Sequence, residues 1–485
     1  MNPQQYIAEL AIQDVAAFTQ VGTGAVPRTV QSKLQEVASV KDFGATGNGI
    51  TDDTVAIQAA LNSGATSVFI PPGTFKFTTL TMPAVAGFEF FGVGVASALI
   101  QTGTGIKYPT IAANCFNAVS TIRDLYFDGT NGTGNTFDTT YAQTLDLLNL
   151  FFNNVPIGHT SLMLNGNPTS STYAHDVRVK NIRIYSTTAG NAGITLGAFH
   201  SDSTIDGFQM NGGFEVAYCL LALNGALTTV VSNSHIYNAT SNVVNLQGNN
   251  NDFGWIGCTF DNALGDIFNQ VNSVRGRFTN CFIEAVNSGH HGIVFNNSYN
   301  NTLFNTSFSS LSGSSTACVQ EVSGSSGTKV IGGCIDSTSN WTTLFNLNGV
   351  GSYAKGFEAY GSYDSIYSLV GTASTPQAQN TTINYGANTS VGLSNAAWSA
   401  PYAGNIMFAN VFVDNTPAAG QTFLFNLQVA GVTIATGTIS SGMYSTTITP
   451  SPAYSVGAGA EISIQSIFST TSGSASPRYA ITLNG

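Results

Sequence analysis

From Asn181 onward the chain repeats a short pattern, a turn residue followed by positions that alternate between apolar or small and polar. It appears first as Asn181-Ile182-Arg183-Ile184-Tyr185 and then as Gly207-Phe208-Gln209-Met210-Asn211. Asn233-Ser234-His235-Ile236-Tyr237, Gly257-Cys258-Thr259-Phe260-Asp261 and Asn280-Cys281-Phe282-Ile283-Glu284 follow. Asn305-Thr306-Ser307-Phe308-Ser309 and the more degenerate Gly333-Cys334-Ile335-Asp336-Ser337 complete the series. Successive starts lie 23 to 28 residues apart. A repeat of that length, alternating with period two and never interrupted by a helical pattern, predicts a solenoid of β-coils. The second and fourth positions face the core, so the third and fifth face outward. No coil buries its inner face alone; stacked neighbours complete it.

Outside this series the pattern is looser. Phe88-Glu89-Phe90-Phe91 and Ile122 to Phe127 read as earlier coils. Between Asp128 and Tyr173 the repeat is lost, and Leu145, Leu147, Leu148, Leu150, Phe151 and Phe152 read as an insertion packed on a neighbouring subunit. At the N-terminus Ile7, Leu10, Ala11, Val15 and Phe18 follow helical spacing; after Gly22 to Pro27, the run Thr29–Val37 also reads as helix. Beyond about Pro376, alternating segments such as Phe423 to Val429, Val432 to Thr436 and Glu461 to Ile464 are separated by turn residues, which predicts an antiparallel β-sandwich. The expected fold class is therefore all-β. A short N-terminal helical segment (1–38) leads into a parallel β-helix (39–376) and a C-terminal antiparallel β-sandwich (377–485).

Composition narrows the function. Charged residues are 8% of the 485, far below the roughly 25% of an ordinary soluble domain. A surface of hydroxyls and amides suits a sugar better than a polyanion. The net charge of −11, with 14 Lys+Arg, leaves no basic footprint for nucleic acid. No run of about 18 uninterrupted apolar residues predicts membrane insertion. Met1 to Leu10 lacks the basic start and apolar core of a secretory signal, so synthesis in the cytoplasm is expected. The six cysteines form no CxxC pair and read as buried thiols, and neither a metal nor a cofactor is called for.

The run Ser39 to Leu61, with Lys41-Asp42-Phe43-Gly44-Ala45-Thr46-Gly47-Asn48-Gly49 and Thr51-Asp52-Asp53-Thr54, is followed by Phe69-Ile70-Pro71-Pro72-Gly73-Thr74-Phe75. Together they resemble the opening of the pectate-lyase-like superfamily of right-handed β-helices. Asp42, Asp52 and Asp53 read as loop closure and helix capping rather than a metal site. Pro27-Arg28-Thr29-Val30-Gln31-Ser32-Lys33-Leu34-Gln35-Glu36 resembles the neck that leads into the β-helix of bacteriophage tailspike depolymerases. That resemblance implies a homotrimer on the virion, docked through the N-terminus to another phage tail or adaptor protein. It also implies a bacterial surface polysaccharide (capsule, exopolysaccharide or O-antigen) as the target.

The outward positions hold the candidate chemistry. Arg183 and Tyr185, Gln209 and Asn211, His235 and Tyr237, Thr259 and Asp261, Phe282 and Glu284 are expected on successive rungs. Neighbouring strands are about 4.8 Å apart, so the carboxyls of Asp261 and Glu284 are expected roughly 5–6 Å apart, near the separation that retaining glycosidases use. Such a pair pushes its pKa values apart, leaving one group protonated. Glu284 is the expected general acid and Asp261 the nucleophile or base, or the reverse. Arg183, Tyr185, Gln209, Asn211, His235, Tyr237 and Phe282 are the expected substrate-binding residues. Asp202, Asp206 beside His200, Glu215, Asp252 and Asp266 are alternative acids. A lyase, with His235 or Tyr237 as base and Arg183, Arg275 or Arg277 as cation, stays open. So does an adhesin that binds without cutting. His290-His291 reads as a turn or surface pair rather than a metal site, because adjacent strand residues face opposite ways.

Overall fold

The computed structural model describes residues 17–85, 87–108, 120–140, 144–166, 176–223, 225–311, 314–322, 324–336, 340–347, 349, 352–359, 365–366, 395–399, 404–413, 422–443, 445–451, 454–456, 460–468 and 477–484. Most of the expected N-terminal helix thus lies outside the described residues. Its last two, Ala17–Phe18, form a strand antiparallel to Arg28–Thr29. A one-turn helix, Val30–Leu34, follows; Thr29 Oγ1 accepts from Ser32 N at 3.0 Å and caps it.

The glycine-rich opening is tied together by its acids. Asp53 accepts from Thr46 N at 2.7 Å and Gly47 N at 3.1 Å, closing the loop. Asp52 accepts from Thr54 N at 3.0 Å at the start of the helix Thr54–Leu61. Asp42 completes a capping box with Ser39. The helix buries Ile57, Ala60 and Leu61.

The chain divides into two compact units, one holding residues up to Leu221 with Gly225–Thr229, the other holding Ala222–Asn224 and everything from Val230. Both are built from stacked parallel coils. In the first unit, Ser120–Asp128 pairs with Leu145–Asn153, which pairs in turn with Val177–Lys180 and Arg183–Tyr185. The expected insertion is therefore wrong where the structure describes it. Leu145, Leu147, Leu150 and Phe152 are core residues, each exposed by 1% or less. Asn149-Leu150-Phe151-Phe152-Asn153 carries the repeat motif itself, with Asn149 at φ 54°. The motif stands 32 residues ahead of Asn181, and that longer spacing hid it.

Each coil turns a sharp corner at one left-handed residue. Asn181, Asn233, Asn280 and Asn305 have φ between 49° and 54°, and Gly207 and Gly257 have 70° and 60°. Asparagine tolerates this conformation, and its amide can stack on the rung below. Asn181 Nδ2 donates to Asn149 Oδ1 at 3.0 Å, and Asn305 Nδ2 to Asn280 Oδ1 at 2.8 Å. Directly after the corner, Ile182, Phe208, Ser234, Cys258, Cys281 and Thr306 are all buried, as the alternation requires. Cys219 and Cys318 are also buried and form no disulfide; Cys115 lies outside the described residues.

The last repeat needed a one-residue correction. Ile335 pairs with Phe308 and is buried, so Gly332 (φ 65°) takes the corner, Cys334 is partly exposed and Asp336 faces out. With Gly332 and Gly333 adjacent and both at positive φ, the sequence alone does not mark which one turns. Near the C-terminus the strands become antiparallel. One sheet contains Asn395–Ser399, Thr422–Val429, Val432–Ser440 and Glu461–Phe468; the other contains Gly404–Val413, Ser445–Ile448, Tyr454–Val456 and Pro477–Asn484.

Candidate active site

The second unit brings the two predicted carboxyls together. Its relevant sheet is formed by β1 (His235–Ala239), β2 (Thr259–Ala263), β3 (Phe282–Val286) and β4 (Ser307–Ser310), all parallel. The register pairs His235 with Thr259 and Tyr237 with Asp261; it then pairs Thr259 with Phe282 and Asp261 with Glu284. Phe260 and Ile283, between these outward residues, are fully buried. Immediately after the outward residue the chain enters the left-handed region again, at Asn238 (φ 63°), Asn262 (φ 52°) and Ala285 (φ 49°). Alanine is rarely held this way, and such strain collects at functional sites. Ser309 Oγ steadies it by accepting from Ala285 N at 3.1 Å.

The side chains differ in environment. His235 Nε2 stands 3.8 Å from Asp261 Oδ2, and its ring stacks on Tyr237 at 4.7 Å and 28°. Phe282 is 46% exposed and offers a flat apolar face. Glu284 is partly buried. Burial lifts its carboxyl above the ordinary glutamate range, Asp261 pushes it further, His235 opposes and Asp336 adds to the rise. The pair thus combines an acid biased toward its protonated form with a neighbouring carboxylate, the requirement for acid–base or nucleophilic cleavage of an acetal. The outward position of Asp336, whose charge acts on Glu284, was concealed in the sequence by the one-residue shift at Gly332.

Arg183, Tyr185, Gln209 and Asn211 lie in the first unit, where Arg183 pairs with Gln209 and Tyr185 with Asn211 on the outer surface. Below Arg183 comes Phe151, which stacks on Tyr126 at 5.3 Å and 9°. Arg183 is exposed and forms no ion pair among the described residues. These groups make a ledge of aromatic, amide and guanidinium side chains.

The alternatives fare unequally. His200 is wholly buried with neither ring nitrogen hydrogen-bonded, so it forms no hydrogen bond with Asp202 or Asp206. Asp252 is held by Arg275 at 2.6 and 2.7 Å, and its pKa is lowered accordingly. Arg277 sits on the strand Arg277–Thr279, which stacks on Gly254–Ile256 rather than in the column that holds His235. His290 and His291 do not diverge as expected, because His290 lies in the turn before the strand. Both rings approach Asp266 Oδ1, His291 Nδ1 at 2.8 Å and His290 Nδ1 at 3.7 Å. Burial alone would raise the Asp266 carboxyl, but the hydrogen bonds from the His291 ring and backbone outweigh it and hold it low. Among the described residues no cluster of three or more His, Cys, Asp or Glu is arranged to hold a metal. No helix among them is long and apolar enough to cross a membrane.

Residues 37–269 match the family described as rhamnogalacturonase A/epimerase, pectate lyase-like. That match covers just under half of the chain, whose stacked parallel coils form a right-handed β-helix. In sequence the chain is similar to mannuronan C5-epimerase AlgE6 of Azotobacter vinelandii, 30% identical over 130 residues, 24% of this chain and 14% of that protein. The match thus spans about a seventh of this relative. Among solved structures, tailspike protein 3 of bacteriophage CBA120 aligns with a TM-score of 0.53 at 15% identity, over 83% of this chain and 73% of that one. The A-module of AlgE6 aligns with a TM-score of 0.50 at 16% identity, over 67% of this chain and all of the module. At these identities the structural likenesses speak for the β-helix alone.

Proposed function

We propose that this chain is a phage tailspike that recognises and hydrolyses a bacterial surface polysaccharide. Glu284 acts as general acid and Asp261 as nucleophile or base, while Tyr237, His235 and Phe282 form the floor on which the sugar lies. The observation that carries the reading is the in-register pairing of Asp261 and Glu284 on adjacent rungs, with burial and the Asp261 charge favouring the protonated form of Glu284. The repeating rungs suit a repeating polymer, and a sequence relative is named for acting on one, mannuronan. Arg183, Tyr185, Gln209 and Asn211 serve as a second sugar-binding ledge in the first unit. The neck-like segment around Val30–Leu34 supports a homotrimer docked to another tail protein, which light scattering of the purified chain checks.

The test is mass spectrometry of capsule or lipopolysaccharide incubated with wild type, Asp261→Asn and Glu284→Gln. Products that have gained water, and are lost in either variant, are expected. Water-gaining products that persist in both variants would move the site elsewhere. The approach of His235 to Asp261 favours a lyase as the second reading, since a carboxylate can orient an imidazole for proton abstraction. Unsaturated, ultraviolet-absorbing products would decide for it. Tight binding with no product at all would leave an adhesin.

A further inference from the structure

The strip that holds Asp261 and Glu284 also bears on which sugars it takes; this rests on the polysaccharide reading above and sides with hydrolysis, since elimination needs a uronate. The outward column does not end at Glu284. Phe282 pairs with Ser307 and Ile283 with Phe308, and Phe308 pairs with Ile335, so the column runs on through Ser309 to Asp336. Three of four successive rungs therefore carry an acid, over roughly 14 Å at the usual strand spacing. Asp336 is partly buried, its backbone N donating to Phe308 O at 3.1 Å. Among the described residues, the outward positions of β1 to β4 contain no lysine or arginine. The nearest fixed cations in sequence, Arg275, Arg277 and Lys329, belong to the corner and strands of a different column of stacked strands, and Arg275 is engaged by Asp252. His235 is the sole basic group on the strip.

A sugar hydroxyl donates a hydrogen bond to a carboxylate, whereas a uronate or phosphate oxygen has nothing to donate and adds a like charge. A rung is about as long as one pyranose along an extended glycan, so a polyuronate would set an anion against almost every rung of this strip. The exposed face of Phe282 and the stacked His235–Tyr237 pair suit the C–H face of an uncharged pyranose instead. We propose that this site takes an uncharged stretch of glycan, and that Asp336 is a specificity-determining residue that turns acidic sugars away.

The experiment uses the full chain as the Glu284→Gln variant, which leaves bound sugar intact and keeps the charge of the protonated acid. It is applied to an array of bacterial capsular and O-antigen oligosaccharides, neutral and acidic, with and without added salt. The expected result is retention of neutral members with affinity indifferent to salt. Adding Asp336→Lys should raise affinity for acidic members by about tenfold in a salt-sensitive way, since a surface charge reversal acts mainly through electrostatics. Asp336→Asn, a near-isosteric change, should do the same more weakly and guards against a misfolded lysine variant. Acidic oligosaccharides bound by the Glu284→Gln protein, or a selection unchanged in both Asp336 variants, would overturn the inference while leaving the polysaccharide reading intact. Retention of no member, neutral or acidic, would overturn both.

Discussion

The inward and outward faces of the same two strands divide the core from the proposed chemistry. On Thr259–Ala263 and Phe282–Val286, Phe260 and Ile283 point inward and are fully buried, while Asp261 and Glu284, one residue further, face out. Phe260 packs against Trp255 at 5.4 Å and Phe268 at 5.6 Å. Asp261 and Glu284 are only partly buried. A β-coil can therefore carry an unfavourable pair of acids at little structural expense, because the neighbouring inward residue holds the strand in place.

The comparison is broken most directly by Glu284→Gln. Its expected effect is a fall of about 10³-fold in kcat, some 4 kcal/mol of barrier, with thermal stability unchanged or higher. The sign follows from the raised native pKa of Glu284. Above the ordinary carboxyl range the unfolded state ionises more readily, so ionised Glu284 opposes folding and its removal relieves that. Kinetics and a melting curve on the same sample check both halves; a large loss of stability would show that the outward face is structural after all. For the same reason the alkaline limb of the pH–rate profile should lie above the ordinary glutamate range.

Phe260→Ala, its inward neighbour, should do the opposite. A loss of about 3–5 kcal/mol is expected in denaturant unfolding, with kcat per folded molecule little changed.

An inward titratable group sharpens the contrast further. His200 is buried in the first unit, and desolvation lowers its pKa from 6.5 to about 4. Below pH 6.5 the unfolded chain takes up a proton that the native state refuses until about pH 4, so stability falls across that window. The expected loss is roughly 3 kcal/mol at most, and His200→Gln should abolish that share of the acid sensitivity. Urea titrations of both proteins at pH 7 and pH 4.5 would reveal it, and parallel curves for the two proteins would count against it.

The smallest effect belongs to the corner between the faces. Asn280→Ala should destabilise by about 1 kcal/mol because alanine resists the left-handed conformation. Asn280→Gly keeps the conformation and loses only the amide bond from Asn305, so it should fall between alanine and wild type.

Much of this fold is legible in the chain because its signals are local. Alternation assigns Ile182, Ile184, Ile236, Phe260 and Ile283 to the core without knowledge of their neighbours. An Asn or Gly that accepts positive φ marks each corner within a single residue. From these two rules the pairing of Asp261 with Glu284 follows, since equal counts from successive corners put them on adjacent rungs. What tertiary structure decided is whatever depends on a loop or on burial. The coil through Asn149 was obscured by a long connection, and Asp336 by a choice between two glycines. Asp266 gathers both His290 and His291 only because a turn on one coil lies beside a turn on the next. The rise in the Glu284 pKa likewise comes from packing and from charges on other rungs. Side-chain direction along a strand is a property of the backbone repeat and can be counted from sequence; burial, loop path and the meeting of charges are non-local and exist only once the coils have stacked.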